Sequence, residues 1–149
     1  MIVRPAAIAD LPALTRLETA FPARQRWSDA AWRAEIDGRD RLVEVADAGG
    51  VIACASWRHA GETTDLDRII VAEEQRGRGV AGGLLKRGIA WAVQQRAGNV
   101  LLEVASDNTA ALRLYTAAGF APISRRRSYY GQDIDALVME LRLGIEEKQ

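Results

Sequence analysis

The sequence is poor in the side chains that build metal centres and nucleophilic sites, with one cysteine and one histidine in 149 residues. A single cysteine excludes a disulfide framework and a cysteine-based metal site within the chain. Cys54 lies in the apolar run 51–57, so we expect a buried structural thiol. His59 cannot build a catalytic triad unaided, and its place at the end of a predicted strand suggests a solvated loop residue. We predict no bound metal.

An excess of charge of one sign is also absent, because 20 basic residues balance 20 acidic ones. This balance excludes an overall field that attracts nucleic acid or an anionic membrane. The run 125–127 is three arginines without an aromatic platform, which predicts a solvated strand edge and no direct nucleic-acid binding. We find no signal peptide and no apolar run that could span a bilayer, so we expect a cytoplasmic monomer or weak dimer without a membrane role.

The length predicts one domain, residues 1–144, followed by a flexible tail at 145–149. Hydrophobic periodicity and turn residues predict the order β, α, α, β, β, β, α, β, α, β, β. Asp10, Ser28 and Asn108 stand where helix N-caps are expected, and Gly98 is expected to end the third helix. The predicted strands are 2–4, 41–46, 51–58, 63–71, 100–104, 120–130 and 134–141.

The stretch 71–85 is an apolar strand end that runs through a glycine-rich turn into a helix. Glycines let backbone N–H groups converge, and the free N–H groups of a helix start favour an anion, so the turn predicts a phosphate site. Gly77, Gly79 and Gly82 also fit the dinucleotide pattern G-x-G-x-x-G, but residues 72–76 separate the strand from the first glycine. A P-loop is excluded because Gly83 stands where its lysine is required. A surface turn without a ligand is the alternative.

Two motifs in this order resemble the GNAT superfamily of acyl-coenzyme A dependent N-acetyltransferases. Arg76, Gly79 and Ala81 fill the pattern [RQ]-x-x-G-x-[GA], and the stretch 108–120 is similar to the family's N-x-x-A-x-x-L-Y-x-x-x-G-F. The resemblance implies an α/β (α+β) single-domain fold, with a mixed, mostly antiparallel, splayed sheet of about seven strands flanked by about four helices. It implies acetyl-CoA as the donor, held by Ile69, Ile70, Val71, Arg76, Gly77, Arg78, Gly79, Val80, Ala81 and Asn108.

Further residues resemble the ribosomal-protein alanine N-acetyltransferases of the RimI type. These are Leu102-Glu103-Val104, Arg126, Tyr129-Tyr130 and the run 135–139. The resemblance implies acetyl transfer to the N-terminal α-amino group of a ribosomal small-subunit protein or peptide, with alanine as the expected N-terminal residue. It assigns Glu103 as the general base and Tyr115 as the acid, and it places Phe21, Pro22, Tyr129 and Tyr130 around the acceptor.

Each assignment has an alternative. Glu103 also fits a carboxylate at an exposed strand end, Tyr115 fits a core tyrosine, and capping alone explains Asn108. Ala105 and the short turn at 131–134 depart from the RimI-type pattern and bear on the choice of acceptor. A small amine or a lysine therefore stays open as the acceptor, and a non-catalytic acyl-coenzyme A sensor is a third hypothesis.

Overall fold

Strands and helices follow one another along the chain in the predicted order. In the computed structural model, which describes residues 1–144, the chain forms seven strands and four α-helices. The predicted tail at 145–149 lies outside the described residues. The strands are β1 (Ile2–Pro5), β2 (Arg41–Asp47), β3 (Val51–Ala60), β4 (Thr63–Val71), β5 (Asn99–Ala105), β6 (Ala121–Gly131) and β7 (Ile134–Arg142). The helices are α1 (Leu11–Leu17), α2 (Asp29–Asp37), α3 (Val80–Gln94) and α4 (Thr109–Ala117).

The strands form one mixed sheet in the order β1-β2-β3-β4-β5-β7-β6. The registers of β1 with β2, β2 with β3, β5 with β7 and β6 with β7 are antiparallel. β4 and β5 are parallel, with Thr63–Leu66 opposite Asn99–Leu102. A parallel pair needs a long crossover connection, and α3 lies in that connection. The single-domain mixed sheet with four helices confirms the predicted fold class, while the splay farther along β4 and β5 stays a prediction.

Contacts divide the chain into two compact units. The first comprises Met1–Arg58 and Asp67–Trp91. Its core contains Leu14, Trp32, Val45 and Cys54, all fully buried. Burial raises the pKa of the Cys54 thiol, as expected for a structural cysteine. Because α1, α2, β2 and β3 all contribute side chains, this core fixes the segment between α1 and α2 from both ends.

Helix α3 packs on β3 within the first unit through a glycine. A Cβ atom built on Gly88 would lie 1.8 Å from Cε2 and Cζ2 of Trp57, which is fully buried. Only a residue without a side chain allows this close approach. One residue earlier, Arg87 donates from Nε and Nη2 to the carboxylate of Glu44 in β2 at 2.9 and 2.6 Å.

The second unit comprises, among the described residues, His59–Leu66 and residues 92–144. Its buried side chains include residues of β4, β5, α4 and β7, and alternate residues of β5 face inward. Val100, Leu102 and Val104 are buried, whereas Glu103 between them is exposed. This alternation gives β5 one apolar face and one face that carries the predicted base. No helix among residues 1–144 is long and apolar enough to cross a membrane.

Three local predictions were wrong. Asp10 precedes α1, but its side chain does not cap it; the carboxylate accepts hydrogen bonds from Arg4 and from the Ala7 N–H. Helix α3 ends at Gln94, before Gly98, because Arg96 adopts a left-handed conformation with φ 62°. His59 lies inside β3, and its Nδ1 is 2.9 Å from the Thr64 hydroxyl.

Candidate functional site

The glycine-rich turn between β4 and α3 presents backbone donors and open space. Gly77 and Gly79 have φ angles of 78° and 82°, and a Cβ atom on either would meet nothing within 4 Å. The Gly83 N–H donates to the Gly79 carbonyl at 3.0 Å, as the first i to i−4 bond at the helix start. The N–H groups of residues 80–82 therefore precede the first intrahelical bond of α3. This arrangement fits the pyrophosphate of coenzyme A, which needs converging N–H donors.

Two arginines flank the glycines of this turn. Arg76 and Arg78 are both exposed. The Arg76 Nε donates to the Val71 carbonyl at 3.1 Å, and an Arg78 Nη1 lies 3.4 Å from the Gln75 amide oxygen. Arg76 thus bridges the end of β4 and the turn, and its direct contact with the donor stays a prediction.

The strand before the turn is predicted to hold the pantetheine arm through its backbone. Ile70 is buried in the core of the first unit, whereas Ile69 and Val71 are half-buried. Because side chains alternate along a strand, Ile69 and Val71 point to the face opposite Ile70. The contact of these three residues with the donor is a prediction.

The acceptor residues predicted after α1 lie in the first unit. Phe21 is half-buried and Pro22 is exposed. The guanidinium carbon of Arg68 lies 4.0 Å from the centre of the Phe21 ring. Sequence reasoning missed Arg68, although a charged residue beside Ile69–Val71 in a strand was a visible signal.

The predicted base and one predicted acceptor residue meet in the second unit. The Tyr130 hydroxyl donates to Oε1 of Glu103 in a long hydrogen bond of 3.4 Å. Arg126 Nε lies 3.4 Å from Oε2 of the same carboxylate. The Glu103 side chain is 30% exposed, so water can reach it. Sequence reasoning noted Arg126 as a resemblance but did not foresee its ion pair with Glu103.

The tyrosine pair lies on the strand at the end of the sheet. The rings of Tyr129 and Tyr130 meet edge to face at 5.1 Å, and the Arg126 guanidinium lies 4.8 Å from the Tyr129 ring centre. The pairing of β6 with β7 is irregular between Arg126 and Gly131, where Ser128 has φ 54°. Asp135 accepts from the Ser128 N–H at 2.7 Å, and this bond, followed by Arg125, lowers the pKa of its carboxyl group. The bond from Ser128 to Asp135 therefore holds this irregular stretch, which carries the tyrosines, against β7.

Tyr115 and Asn108 lie on α4 and its N-terminus. Tyr115 is 5% exposed and packs edge-on against Phe120, with ring centres 5.9 Å apart. Burial raises the pKa of Tyr115 to about 12, so the hydroxyl keeps its proton at neutral pH, as a general acid must. The Asn108 side chain accepts from the Ala111 N–H at 3.2 Å, which confirms the predicted cap.

The structure thus brings Glu103, Arg126, Tyr129 and Tyr130 together in the second unit, which also contains Tyr115 and Asn108. The first unit contains the glycine-rich turn, Ile69–Val71, Phe21 and Pro22. Within residues 1–144, no group of three or more histidine, cysteine or acidic side chains could hold a metal ion.

Comparison with known proteins shows the family to which this chain belongs. The profile of the Acetyltransferase (GNAT) family matches residues 9–120, and the chain belongs to this family. It is an acetyltransferase that uses acetyl-CoA as its donor, so the sensor hypothesis is set aside.

Individual relatives within this family are N-terminal acetyltransferases of the RimI type. The chain is 32% identical to the N-alpha-acetyltransferase RimI of Mycobacterium tuberculosis, over 82% of this chain and 79% of that protein. It is 28% identical to the [ribosomal protein bS18]-alanine N-acetyltransferase of Escherichia coli K12, over 91% of this chain and 93% of that protein. The crystal structure of the ribosomal-protein-S18-alanine N-acetyltransferase from Escherichia coli superposes with a TM-score of 0.87 at 25% identity, covering 99% of this chain and 97% of that chain.

Proposed function

We propose that this acetyltransferase modifies the α-amino group of an N-terminal alanine in a ribosomal small-subunit protein. The contact of Glu103 with Tyr130 carries the proposal, because it brings a carboxylate that can accept a proton to a residue predicted to lie at the acceptor. The Mycobacterium tuberculosis relative is an N-alpha-acetyltransferase, which supports an α-amino acceptor, and the Escherichia coli relative acts on alanine of a ribosomal protein, which supports the ribosomal acceptor. A ribosomal acceptor places the reaction in the cytoplasm.

The chemistry favours an α-amine over a lysine. At neutral pH an α-amino group costs only about 1 kcal/mol to deprotonate, whereas a lysine costs about 4–5 kcal/mol, from reference pKa values near 8 and 10.4. A single carboxylate that acts directly or through one water is sufficient for the easier proton. Glu103 is proposed to take that role because its side chain is partly open to water.

The leaving group needs a proton as well. Acetyl-CoA supplies the acetyl group as a thioester, so a C–N bond forms and a C–S bond breaks. Tyr115 is proposed to give its hydroxyl proton to the departing sulfur, and its raised pKa keeps that proton available at neutral pH. Glu103 takes the proton that frees the α-amine for attack and passes it to water. The nitrogen loses a second proton as the C–N bond forms, and that proton returns through water to Tyr115, so the reaction releases one proton overall.

A peptide panel tests the proposal. Peptides with the N-terminal sequence of the small-subunit protein are incubated with enzyme and acetyl-CoA, with the first residue varied and with an N-terminally blocked, lysine-containing peptide as the control. We expect one acetyl group on the N-terminus of the alanine peptide, located by fragmentation mass spectrometry, and none on the blocked peptide. Acetylation of the blocked peptide alone would reject the proposal.

A small amine or a lysine is the second candidate acceptor. It is favoured by the turn between β6 and β7, where Gly131 pairs with Ile134 and only two residues connect the strands. A short turn leaves less surface to hold a peptide beyond its first residues. Turnover of free polyamines or aminoglycosides, with no product from any peptide, would establish this candidate.

A further inference from the structure

Arg68 in β4 is joined to the chain between α1 and α2, where Phe21 and Pro22 are predicted to meet the acceptor. We propose that Arg68 is the positioning residue for the acceptor segment, defined as residues 18–28. The inference rests on the proposed function for the role of this segment, while the contacts that carry it are independent of that role.

The guanidinium group of Arg68 contacts the acceptor segment at several points. Its Nε donates to Oε2 of Glu18 at 3.1 Å, and its Nη2 donates to Oε1 at 2.5 Å. The same Nη2 donates to the Gln25 carbonyl at 2.7 Å. The guanidinium carbon lies 4.0 Å from the ring centre of Phe21 and 4.9 Å from that of Trp27. One planar cation therefore reaches both ends and the middle of the segment.

The segment lacks a regular backbone ladder of its own. It contains two short 3-10 turns, Glu18–Ala20 and Ala23–Gln25, joined at Phe21 and Pro22. The backbone bonds found inside it are local, such as the Phe21 N–H to the Glu18 carbonyl and the Gln25 N–H to the Pro22 carbonyl. Such a segment takes its position from side-chain contacts with its surroundings, because local turns do not fix it to the sheet.

Burial makes the Arg68 contact obligatory. The Glu18 side chain is 1% exposed, and that of Arg68 is 13% exposed. The Glu18 carboxylate also accepts from the Trp27 N–H at 3.0 Å and from Nε1 of Trp32 at 2.9 Å. A buried ion pair is a weak source of stability compared with apolar packing, but removal of one partner leaves a costly buried charge. The pair therefore selects one arrangement of the segment.

Strand β4 carries both Arg68 and the residues that are predicted to bind the donor. Arg68 directly precedes Ile69–Val71, the stretch predicted to hold the pantetheine arm. Ile70, on the same strand face as Arg68, is buried in the core against which Phe21 and Trp27 pack. One strand thus fixes the spacing of donor and acceptor, and a misplacement of about 1 Å can cost about a hundredfold in rate.

The test compares Arg68→Gln and Arg68→Lys with Arg87→Gln. Arg87 is a matched control because it also donates from Nε and Nη2 to a buried carboxylate, that of Glu44, without touching residues 18–28. Lysine keeps the charge beside Glu18 but lacks the planar fork and the stacking face. If Arg68→Gln fails to fold, Arg68→Lys carries the test.

The first measurement is trypsin cleavage after Arg24 and Arg26, which are exposed in the segment. We expect cleavage at these sites to accelerate about tenfold or more in Arg68→Gln and to stay at the wild-type rate in Arg87→Gln. This measurement needs no acceptor. Equal cleavage rates in the Arg68 and Arg87 variants would overturn the proposal.

The second measurement separates binding of the two substrates. We expect the KM of the acceptor to rise about tenfold or more in Arg68→Gln and less in Arg68→Lys, with the KM of acetyl-CoA within about twofold of wild type. A parallel rise of both KM values would make Arg68 a merely structural residue. If wild type modifies only lysines or small amines, the proposed function falls, but the KM of that amine still tests Arg68. If it transfers to no acceptor, the proposed function falls, and the trypsin measurement alone decides whether Arg68 positions residues 18–28.

Discussion

Replacing Gly88 by alanine will destabilise the protein, although the same change elsewhere in α3 will stabilise it. Alanine in place of glycine contributes about 1 kcal/mol to a helix interior. At Gly88 the new Cβ atom would lie 1.8 Å from two ring carbons of Trp57, whereas carbon atoms in contact are about 3.5–4.0 Å apart. Trp57 is fully buried, so the indole ring must displace its neighbours.

The size of the effect follows from these two contributions. Overpacking costs about 1–3 kcal/mol or more, and an overlap of about 2 Å belongs at the upper end of that range. After the gain in helix propensity, the net loss is about 2 kcal/mol. For a chain of this length, each kcal/mol corresponds to about 2–4 °C, so Tm should fall by about 4–8 °C.

Thermal and urea unfolding followed by circular dichroism provide the assay. Gly83→Ala is the matched control, because a Cβ atom there meets nothing within 4 Å; its Tm should rise by about 2–4 °C. In a Trp57→Phe background, the smaller ring should reduce the cost of Gly88→Ala. A Tm that rises in Gly88→Ala as it does in Gly83→Ala would refute the packing described for α3 and β3.

Three further predictions concern the site. Glu103→Gln should lower kcat, measured by thiol release, about a hundredfold at pH 7. The loss should be smaller near pH 9, because an α-amine of pKa about 8 is already neutral there. An equal loss at both pH values would argue against Glu103 as the base. The folded chain keeps the Tyr115 proton above pH 10, where the unfolded chain releases it, so stability falls as pH rises from about 10 to about 12. Urea titration at about pH 11 should show a loss of about 1 kcal/mol relative to about pH 9 that is absent in Tyr115→Phe, and identical losses would contradict the raised pKa. Gly79→Ala should weaken acetyl-CoA binding, measured by calorimetry, about tenfold. Gly49→Ala is the control: the φ angle of Gly49 is 84° and that of Gly79 is 82°, so both changes impose the same backbone strain, but Gly49→Ala should leave binding unchanged.

The order of strands and helices could be predicted because each element carries its own pattern and its own turn residues. Ser28 and Asn108 cap helices through bonds to residues three positions away, which local sequence specifies. Asp10 misled the same reasoning because Arg4 captures its carboxylate. The end of α3 was placed too late because Arg96 takes the left-handed conformation that glycine usually supplies.

The part of the site that local sequence specifies could also be predicted. The glycine-rich turn is a continuous stretch, so its open donors follow from local sequence. The Arg68 contact with Glu18 spans 50 positions and the Tyr130 contact with Glu103 spans 27. No spacing rule links such pairs, because only the packing of distant parts of the chain brings them within reach.

The burial of Cys54 has a practical consequence for site-specific labelling of this enzyme. The chain has one thiol, it is fully buried, and its raised pKa disfavours the reactive thiolate. A cysteine introduced at Arg24 would therefore react selectively with a maleimide dye or spin label while the native residue stays in place. The position of residues 18–28 could then be followed by spectroscopy in an otherwise unaltered protein, with and without donor.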